Sequence, residues 1–395
     1  MVSPGHVLHV SQPTAQGVMV VIEDYVSLLV ERGWRVSLLC PGPQHQPGEL
    51  AEHVRDNDAT VIEWDAKRSP GSSVAKETLE LRRIVRDLNP DVVHLHSSKA
   101  GLDGRLAIRG KLPTLFSPHA WSFFHGGTSI RRAALAWERA GQRWTSTFVC
   151  GSADELSSGR EAGLKTPAVV IPNTVSVGSA GSLSQVDARR EMAPDLDPEA
   201  PLVVCVGRLV RQKGQVILLE AWPDIRAAVP DAQLVLAGGG TDHERLAAMA
   251  GPGVRITGVI ARPDAFKWIR AADVVAAPSR WESMSLAVLE AVALGRPVVA
   301  SDVQGMREAV TKGAGDIVPV NNRVALAAAL IPYLKDRAKA AAEGQIAAAE
   351  SAAKWSRQMS DNGDALVALY RKTIVAHAIK NRGVRDLLTR THGYN

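Results

Sequence analysis

The feature that most constrains the fold is an alternation of short β-branched runs with helical stretches, which occurs twice along the chain. Several of these runs are apolar on both faces, as strands of a covered parallel sheet must be. The predicted strands span residues 6–12, 35–40, 60–64, 91–96, 114–119, 147–152, 169–173, 202–207, 233–239, 254–258, 273–279, 297–302 and 315–320. Two rounds of this pattern predict two doubly wound, Rossmann-like α/β domains that face each other across a cleft.

The domain boundaries follow from length and local composition. A chain of 395 residues is too long for one ordinary core. Residues 176–201 are rich in Ser, Gly, Pro and charge, which indicates a break between domains. A last long helix is predicted from Ser351 to His377. We therefore expect an N-terminal domain over 1–180, a linker over 181–200, a second domain over 201–350, and a bridging helix with a basic tail over 351–395.

Composition excludes several classes of protein. Hydrophobic residues make up 46% and charged residues 22% of the chain, which is typical of globular proteins and not of disordered ones. No stretch approaches about 18 uninterrupted apolar residues, so no transmembrane helix is expected. Residues 1–12 lack the pattern of a signal peptide. Three cysteines without metal-ligand spacing indicate buried thiols, and the sequence predicts a cytoplasmic protein.

Two glutamates bracket the start of an unusually apolar helix in the segment "RWESMSLAVLEAVALGRPVVASD". Glu290 lies inside the predicted helix 285–294 among Ala, Val and Leu, and Glu282 precedes that helix. A buried carboxylate without a partner costs several kcal/mol. The two hydroxyl groups of a ribose would be one partner for Glu290, and a buried arginine would be another. Glu282 could accept hydroxyl groups of a sugar, and the helix N-terminus offers free N–H groups.

A cationic turn follows the strand 202–207 in the segment "VGRLVRQKGQ". Arg208, Arg211 and Lys213 share this turn with Gly207 and Gly214. Glycines let the backbone approach a ligand, and the cations together with the next helix N-terminus favour a pyrophosphate. The alternative is a solvated basic turn without a ligand.

Two further candidates lie in the first half of the chain. Gly17 precedes the helix predicted over 18–33, in another turn that suits an anion. His119 lies at the end of the strand 114–119, where it could transfer a proton or bind a phosphate. For His119 the alternative is a structural role, and the nearby His94, His96 and His125 compete with it for the same function.

Positive charge is concentrated in two regions. Residues 92–150 contain eight basic and two acidic side chains, and residues 371–395 contain six basic and one acidic. The segment 128–144 mixes arginines with Trp137 and Trp144, a pattern typical of a helix that lies on an anionic membrane surface. Alternatively, the tryptophans pack into the core while the arginines are solvated. No nucleic-acid-binding module is recognisable, so a nucleic-acid partner is not expected.

Together these motifs resemble the family-4 retaining glycosyltransferases, which have the GT-B fold. "ESMSLAVLE" resembles the Glu-x7-Glu signature of that family, and "GRLVRQKG" resembles its turn for the donor diphosphate. "EAVALGRPVVASDVQGMREAV", "VIPNTV", "DVVHLHSSKAGLDGRLA" and "SPHAWSF" are similar to the family pattern elsewhere, so the resemblance covers nearly the whole chain.

The resemblance implies a role for each candidate residue. Arg208 and Lys213 would hold the diphosphate of a nucleotide-sugar donor and stabilise the leaving nucleotide. Glu290 would bind the ribose, and Glu282 would contact the donor sugar. Backbone N–H groups of the segment from Met284 through Ser285 to Leu286 would help to seat that sugar. Gly17 would approach the diphosphate, and His119 would lie near the reacting centre.

The implied reaction is transfer of a hexose with retention at the anomeric carbon, in polysaccharide or glycoconjugate synthesis. It requires no metal and no cofactor besides the nucleotide sugar, for which UDP is favoured and GDP is next. The acceptor would be a saccharide or a lipid-linked saccharide, reached at the inner face of the membrane through 128–144. A sugar-nucleotide epimerase or a glycosyl phosphorylase on the same fold, and a non-catalytic nucleic-acid-binding protein, are the alternatives.

Overall fold

The computed structural model describes residues 5–13, 16–42, 50–67, 69–124, 126–175, 177 and 182–391. It divides the chain into two compact units. The first unit contains residues 1–172 together with 359–395, and the second contains residues 173–358. The chain therefore leaves the first unit once and returns to it through its C-terminal helix.

The first unit contains a parallel sheet of seven strands. They are β1 (His6–Ser11), β2 (Arg35–Cys40), β3 (Thr60–Glu63), β4 (Val92–His96), β5 (Thr114–Ser117), β6 (Thr147–Cys150) and β7 (Ala168–Val170). Their order across the sheet is β3-β2-β1-β4-β5-β6-β7. The sequence order therefore reverses between β1 and β4, which pair in parallel with His9 opposite His94.

Helices connect the strands of the first unit. They are α1 (Gln16–Glu31), α2 (Leu50–Asp56), α3 (Val74–Leu88), α4 (Ser97–Ile108), α5 (Thr128–Gly141) and α6 (Ala153–Glu161). Local sequence sets several of their ends: the hydroxyl of Ser152 accepts a hydrogen bond from the Glu155 N–H at the start of α6, and Asn89 ends α3 in the left-handed conformation. The core between helices and sheet contains Trp64, Phe116 and Trp121.

The second unit contains a parallel sheet of six strands. They are β8 (Leu202–Val206), β9 (Gln233–Ala237), β10 (Val254–Ile256), β11 (Val274–Ala277), β12 (Val298–Ser301) and β13 (Gly315–Val318). Their order is β10-β9-β8-β11-β12-β13, so the sequence order reverses between β8 and β11. All thirteen predicted strands are therefore present, and the prediction of two doubly wound parallel sheets is confirmed.

The helices of the second unit begin inside the segment that was expected to be a linker. They are α7 (Gln185–Met192), α8 (Gln215–Ala228), α9 (His243–Met249), α10 (Arg262–Ala271), α11 (Leu286–Ala293), α12 (Met306–Ala309), α13 (Arg323–Lys335) and the first part of α14 (Arg337–Thr391). Helix α7 is fixed to the second sheet because the guanidinium of Arg189 contacts the buried carboxylate of Asp273 at 2.6 Å. Asp273 also accepts the N–H of Leu202, the first residue of β8.

The C-terminal helix is longer than the sequence pattern indicated. It was expected over 351–377 and spans Arg337–Thr391. Its residues up to Gln358 belong to the second unit and those from Met359 onward to the first. In the first unit the Asn362 side chain donates to the carbonyl of Pro172 at 2.8 Å, and the hydroxyl of Tyr370 lies 2.7 Å from Nδ1 of His94. In the described part of the chain, no helix is both long and apolar enough to cross a membrane.

Candidate active site

The candidate residues of the second unit lie at the point where the strand order of its sheet reverses. Lys213 lies in the turn after β8, and Glu282 lies in the loop after β11. These two strands are neighbours in a parallel sheet, so their carboxyl ends open at the same edge. Ligands of doubly wound sheets bind at such an edge. A small cavity at this edge is lined by residues that include Lys213, Ser279 and Ser285.

Gly214 allows the cationic turn to lie against the loop after β11. Its φ of 68° falls in the left-handed region, and a Cβ atom at this position would lie 2.0 Å from the carbonyl oxygen of Pro278. Only glycine fits such a conformation and such a close approach without strain. The turn is further held by the Gln212 side chain, which donates to the carbonyl of Trp281 at 3.1 Å.

The structure pairs the lysine of the turn with the glutamate of the loop. Nζ of Lys213 lies 2.5 Å from Oε1 of Glu282, and the same oxygen accepts the hydroxyl of Ser279 at 3.0 Å. Glu282 is buried and Lys213 is half-buried. Charge-assisted hydrogen bonds of this kind are shorter and stronger than neutral ones, so they fix both side chains at the sheet edge.

Glu290 is buried in α11 with 7% of its surface exposed. Oε1 of Glu290 lies 3.4 Å from Nη2 of Arg262, the first residue of α10. This arginine is half-buried, whereas the alternative partner considered for Glu290 was a buried arginine. Burial raises the pKa of Glu290 above its usual value, whereas the charges of Arg262 and then Lys213 lower it. The raised pKa means that burial outweighs both cations.

The loop before α11 is tied to two other segments. The Asn173 side chain donates to the carbonyl of Met284 at 3.3 Å. A Cβ atom on Gly305, whose φ is 74°, would lie 2.0 Å from the carbonyl oxygen of Ser283. Ser285 occupies the N-cap position of α11, but its side chain makes no capping hydrogen bond with the described residues. Met284, Ser285 and Leu286 are buried, so the first turn of α11 has fixed surroundings.

Arg208 occupies the start of the same turn as Lys213. It is half-buried, and its carbonyl accepts the side-chain amide of Gln215, the first residue of α8, at 2.8 Å. The N–H of the next residue, Leu209, donates to the carbonyl of Gly239 in the loop after β9. Backbone contacts therefore hold the position of Arg208 in the turn.

The candidates of the first unit lie at its own sheet edge. Gly17 is exposed in the first turn of α1, next to the end of β1. His119 follows β5 with a φ of 49°, and Ala120 follows with a φ of 85°. Such values are uncommon in residues with a Cβ and are maintained at functional sites. Burial lowers the pKa of His119 to about 4, so the ring is neutral at pH 7 and provides hydrogen bonds without a positive charge.

Helix α5 carries the basic segment 128–144. The buried pair of Arg105 and Glu138, at 2.8 Å, anchors this helix, and the Arg105 guanidinium also lies over the Trp137 ring. Arg143 stacks on Trp144 at 4.3 Å. Both tryptophans are half-buried and contact arginines of the unit, so they are neither packed into the core nor fully exposed. The first turn is exposed instead, including Ile130 with 61% of its surface exposed.

Three side chains of this site are not among the residues that the sequence motifs indicated. Ser279 lies in the predicted strand 273–279 and Asn173 in "VIPNTV", whereas Arg262 is the first residue of α10 and is far from Glu290 in sequence. A signal existed for the first two, since both fall within segments that were already singled out. Nothing in the sequence relates Arg262 to Glu290, because the two residues are 28 positions apart and β11 with its loop lies between them.

Two family models match the chain. The model described as glycosyl transferase 4-like domain matches residues 16–174, and the model described as glycosyl transferases group 1 matches residues 200–336. The two ranges lie in the first and second structural units, respectively, apart from two residues at the boundary.

Two curated relatives of the chain are named as mannosyltransferases. A Corynebacterium glutamicum protein named GDP-mannose-dependent monoacylated alpha-(1-6)-phosphatidylinositol monomannoside mannosyltransferase is 36% identical over 166 residues, which is 40% of this chain and 44% of that protein. This alignment thus spans less than half of the relative. A phosphatidyl-myo-inositol mannosyltransferase of Mycolicibacterium smegmatis is 27% identical over 335 residues, 81% of each chain.

A solved structure shares the whole architecture. The Anabaena protein HepE, determined in complex with UDP and glucose, superposes with a TM-score of 0.76 at 19% identity, over 93% of this chain and 100% of that one. Group 1 glycosyltransferases of this kind use nucleotide-sugar substrates and require no cofactor. The chain belongs to the GT4-type group 1 glycosyltransferases, which have the GT-B fold.

Proposed function

We propose that this protein transfers a hexose from a nucleotide-sugar donor to an acceptor, with retention of configuration at the anomeric carbon. The observation that carries the proposal is the grouping of Lys213, Glu282 and Glu290 at the edge of the second sheet, in a chain of this family. One cation and two carboxylates, one of them with a raised pKa, match the anionic and hydroxyl groups of a nucleotide sugar.

The second unit would bind the donor. Lys213 and Arg208 would contact the diphosphate, since both lie in the turn at the carboxyl end of β8. Glu290 would accept the two ribose hydroxyls beside Arg262. Glu282 would contact the donor sugar, and the N–H groups of Met284, Ser285 and Leu286 at the start of α11 would seat it. When a diphosphate arrives, Lys213 would exchange part of its contact with Glu282 for the phosphate oxygens.

The first unit would complete the reaction. Gly17, in the first turn of α1, would approach the diphosphate through its backbone. His119 would lie near the reacting centre, where a neutral imidazole donates or accepts a hydrogen bond.

The chemical step would occur on one face of the sugar. The bond between the anomeric carbon and the phosphate oxygen breaks, the acceptor oxygen bonds to that carbon, and the acceptor proton passes to the departing phosphate. The residues of this chain would contribute orientation and charge: Lys213 and Arg208 would stabilise the negative charge that develops on the leaving diphosphate.

We place GDP-mannose first among the donors. The resemblance to the family favoured UDP, but the name of the Corynebacterium relative states a dependence on GDP-mannose. For the acceptor we propose a lipid-linked saccharide or inositol lipid, since the names of two relatives describe phosphatidylinositol-based acceptors. The exposed first turn of α5, with Ile130, Arg131 and Arg132, would then lie on the anionic inner face of the membrane.

The test begins with binding and continues with transfer. GDP, UDP and ADP are added to the free protein, followed by GDP-mannose, UDP-glucose and ADP-glucose, and the melting temperature is recorded. We expect GDP and GDP-mannose to stabilise the protein according to their affinity. Radiolabelled GDP-mannose is then incubated with vesicles that contain phosphatidylinositol, and the anomeric configuration of the product is read by NMR.

The outcomes separate the parts of the proposal. Stabilisation by UDP alone would contradict the donor assignment, and an inverted anomer would contradict retention. If none of the nucleotides or sugar nucleotides changes the melting temperature, the donor site is wrong. Release of a sugar 1-phosphate with inorganic phosphate as the acceptor would indicate a phosphorylase instead.

A further inference from the structure

Four histidines lie together in the first unit, three of them on one face of its sheet. His9 is on β1, His94 and His96 are on β4, and His119 follows β5. His9 is paired directly with His94, and His94 and His96 are two positions apart on one strand, so the three side chains point to the same face. His9, His94 and His96 are fully buried.

Three of these rings are connected in a row by hydrogen bonds. Nε2 of His119 lies 3.1 Å from Nδ1 of His96, and Nε2 of His96 lies 2.8 Å from Nδ1 of His9. We call His9, His96 and His119 the histidine relay. His94 stands apart, because its two ring nitrogens contact the hydroxyls of Tyr370 and Ser117 at 2.7 and 2.8 Å.

The relay ends at a nitrogen without a partner. Nε2 of His9 is buried and has no hydrogen-bond partner among the described residues. Burial is the main cause that lowers the pKa of all three rings, to about 3 for His9 and about 4 for His119, so each ring is neutral at pH 7. A neutral imidazole has one N–H group and one bare nitrogen.

This arrangement allows only two proton patterns. Either all three rings carry the proton on Nδ1, or all three carry it on Nε2, since any mixture would place two protons or two lone pairs against each other in one contact. The second pattern would leave an N–H group of His9 buried without an acceptor. Buried N–H groups without acceptors are rare in folded proteins. The first pattern leaves only a bare nitrogen at that end.

We propose that His9 and His96 are positioning residues that fix the proton of His119 on Nδ1, so that this ring donates a hydrogen bond to a substrate oxygen at the reacting centre. The proposal rests on the proposed function, which places His119 there. The left-handed backbone of His119 and Ala120 supports it, because the loop is held in this form while the His119 ring stacks on His96 at 5.4 Å. The N–H of Ala120 donates to the buried Glu155 carboxylate at 2.7 Å, which secures the loop.

The first experiment reads the ring protons directly. The protein is labelled with ¹⁵N in its histidine rings, and the tautomers are determined by NMR at pH 7 without substrate, with His9→Asn and His96→Gln used to assign signals. We expect the Nδ1–H tautomer in all three rings of the relay. Mixed tautomers, or an Nε2–H proton on His119, would overturn the proposal. Zinc that copurifies in equimolar amount and is lost in His9→Asn would also overturn it, since a metal site would replace the relay.

The second experiment separates positioning from a general structural role. His9→Leu removes the group that holds His96, whereas His9→Asn keeps an N–H group that can donate to Nε2 of His96 from the place of Nδ1 and loses the unpartnered nitrogen. We expect His9→Leu to lower kcat about tenfold with little change in KM, the size of one lost hydrogen bond, and to mix the His119 tautomers. His9→Asn should have the wild-type kcat and the wild-type tautomer of His119.

Failure of the relay and failure of the proposed function give different results. Equal activity and equal tautomers in His9→Leu and His9→Asn would contradict the relay. If His9→Leu does not fold, the wild-type and His9→Asn spectra still decide the matter. If His119→Asn retains full transfer activity while the three wild-type rings share the Nδ1–H tautomer, the relay stands and the role of His119 in the proposed function is wrong.

Discussion

Nζ of Lys213 lies 2.5 Å from Oε1 of Glu282, although the two residues are 69 positions apart. The turn after β8 and the loop after β11 are neighbours because their strands pair in the sheet. The contact brings together two side chains that the sequence assigned to different parts of a nucleotide sugar, the diphosphate and the sugar. Substitution of either one therefore leaves a charge without its partner at this edge.

Replacement of Lys213 by alanine should abolish the stabilisation of the protein by GDP or GDP-mannose and lower kcat/KM about 10²–10³-fold, because a positioned cation stabilises the developing charge. The measurements are the ligand-induced shift in melting temperature and the transfer rate. Arg211→Ala is the matched control, since it removes the same charge from an exposed position of the same turn. If GDP or GDP-mannose still raises the melting temperature of Lys213→Ala, the role assigned to Lys213 is wrong.

The double variant Lys213→Ala/Glu282→Gln separates stability from binding. Lys213→Ala leaves the buried Glu282 carboxylate without its cation and should lower the melting temperature of the free protein. The added Glu282→Gln change removes that charge and should recover part of the loss. It should not recover the increase in melting temperature that nucleotide causes. If the double variant recovers both the stability of the free protein and this increase, Lys213 acts only through the fold.

Glu290→Gln should stabilise the free protein at neutral pH and weaken nucleotide binding. Burial raises the pKa of Glu290 above the ordinary 4.5, so the folded protein holds this proton more tightly than the unfolded chain. The charged form therefore destabilises the fold by an amount that grows as the pH rises through 4.5 and levels off above the raised pKa.

The measurement for Glu290 is the melting temperature of the variant and the wild type from pH 4 to pH 8. We expect the two proteins to have similar melting temperatures at pH 4, and the variant to melt a few degrees above the wild type at pH 8. Each kcal/mol shifts the melting temperature by about 2–4 °C in a domain of this size. Glu220→Gln on the exposed side of α8 is the control and should show no such trend. If the melting temperature of the variant relative to the wild type falls as the pH rises, the expected direction of the effect is wrong.

Gly214→Ala should destabilise the second unit and weaken nucleotide binding, because the new Cβ would lie 2.0 Å from the carbonyl oxygen of Pro278. The turn must then move away from the loop that carries Glu282. Gly313→Ala is the matched control: its φ of 83° is equally left-handed, but no atom of the described residues lies within 4 Å of the added Cβ. The control should lose only the backbone cost of about 1–2 kcal/mol in unfolding free energy. Equal losses in the two variants would show that the close approach is unimportant.

The exposed turn of α5 can be tested with vesicles. We expect the protein to float with phosphatidylglycerol vesicles at low salt and to be released at high salt, because exposed arginines attract an anionic surface within a Debye length. Arg132→Glu should reduce binding about tenfold, while Arg83→Glu on α3 should have little effect. Equal losses from both changes would indicate a general charge effect, and absence of flotation would refute the membrane surface.

The sequence predicted the sheets well because their signal is local. Each β-branched run is short, apolar and bounded by a helical stretch, and the parallel pairing follows from the helical connections. The ends of the helices were predicted less well than the strands. The long α14 begins at Arg337, well before Ser351, since alanines and charged residues there form a helix without a sharp starting signal. Helix α7 was hidden in a segment rich in charge, and it is held by the contact of Arg189 with Asp273.

The sequence by itself determined the two-sheet α/β fold and the candidate residues of the two motifs, because periodicity and spacing are properties of the chain alone. Its motifs indicated the family through their resemblance to it. Only the tertiary structure decided which of these residues meet. The pairing of Lys213 with Glu282, the approach of Arg262 to Glu290, and the row formed by His9, His96 and His119 all join segments that are distant in sequence. Such contacts depend on strand order and register, which bring distant segments of the chain together.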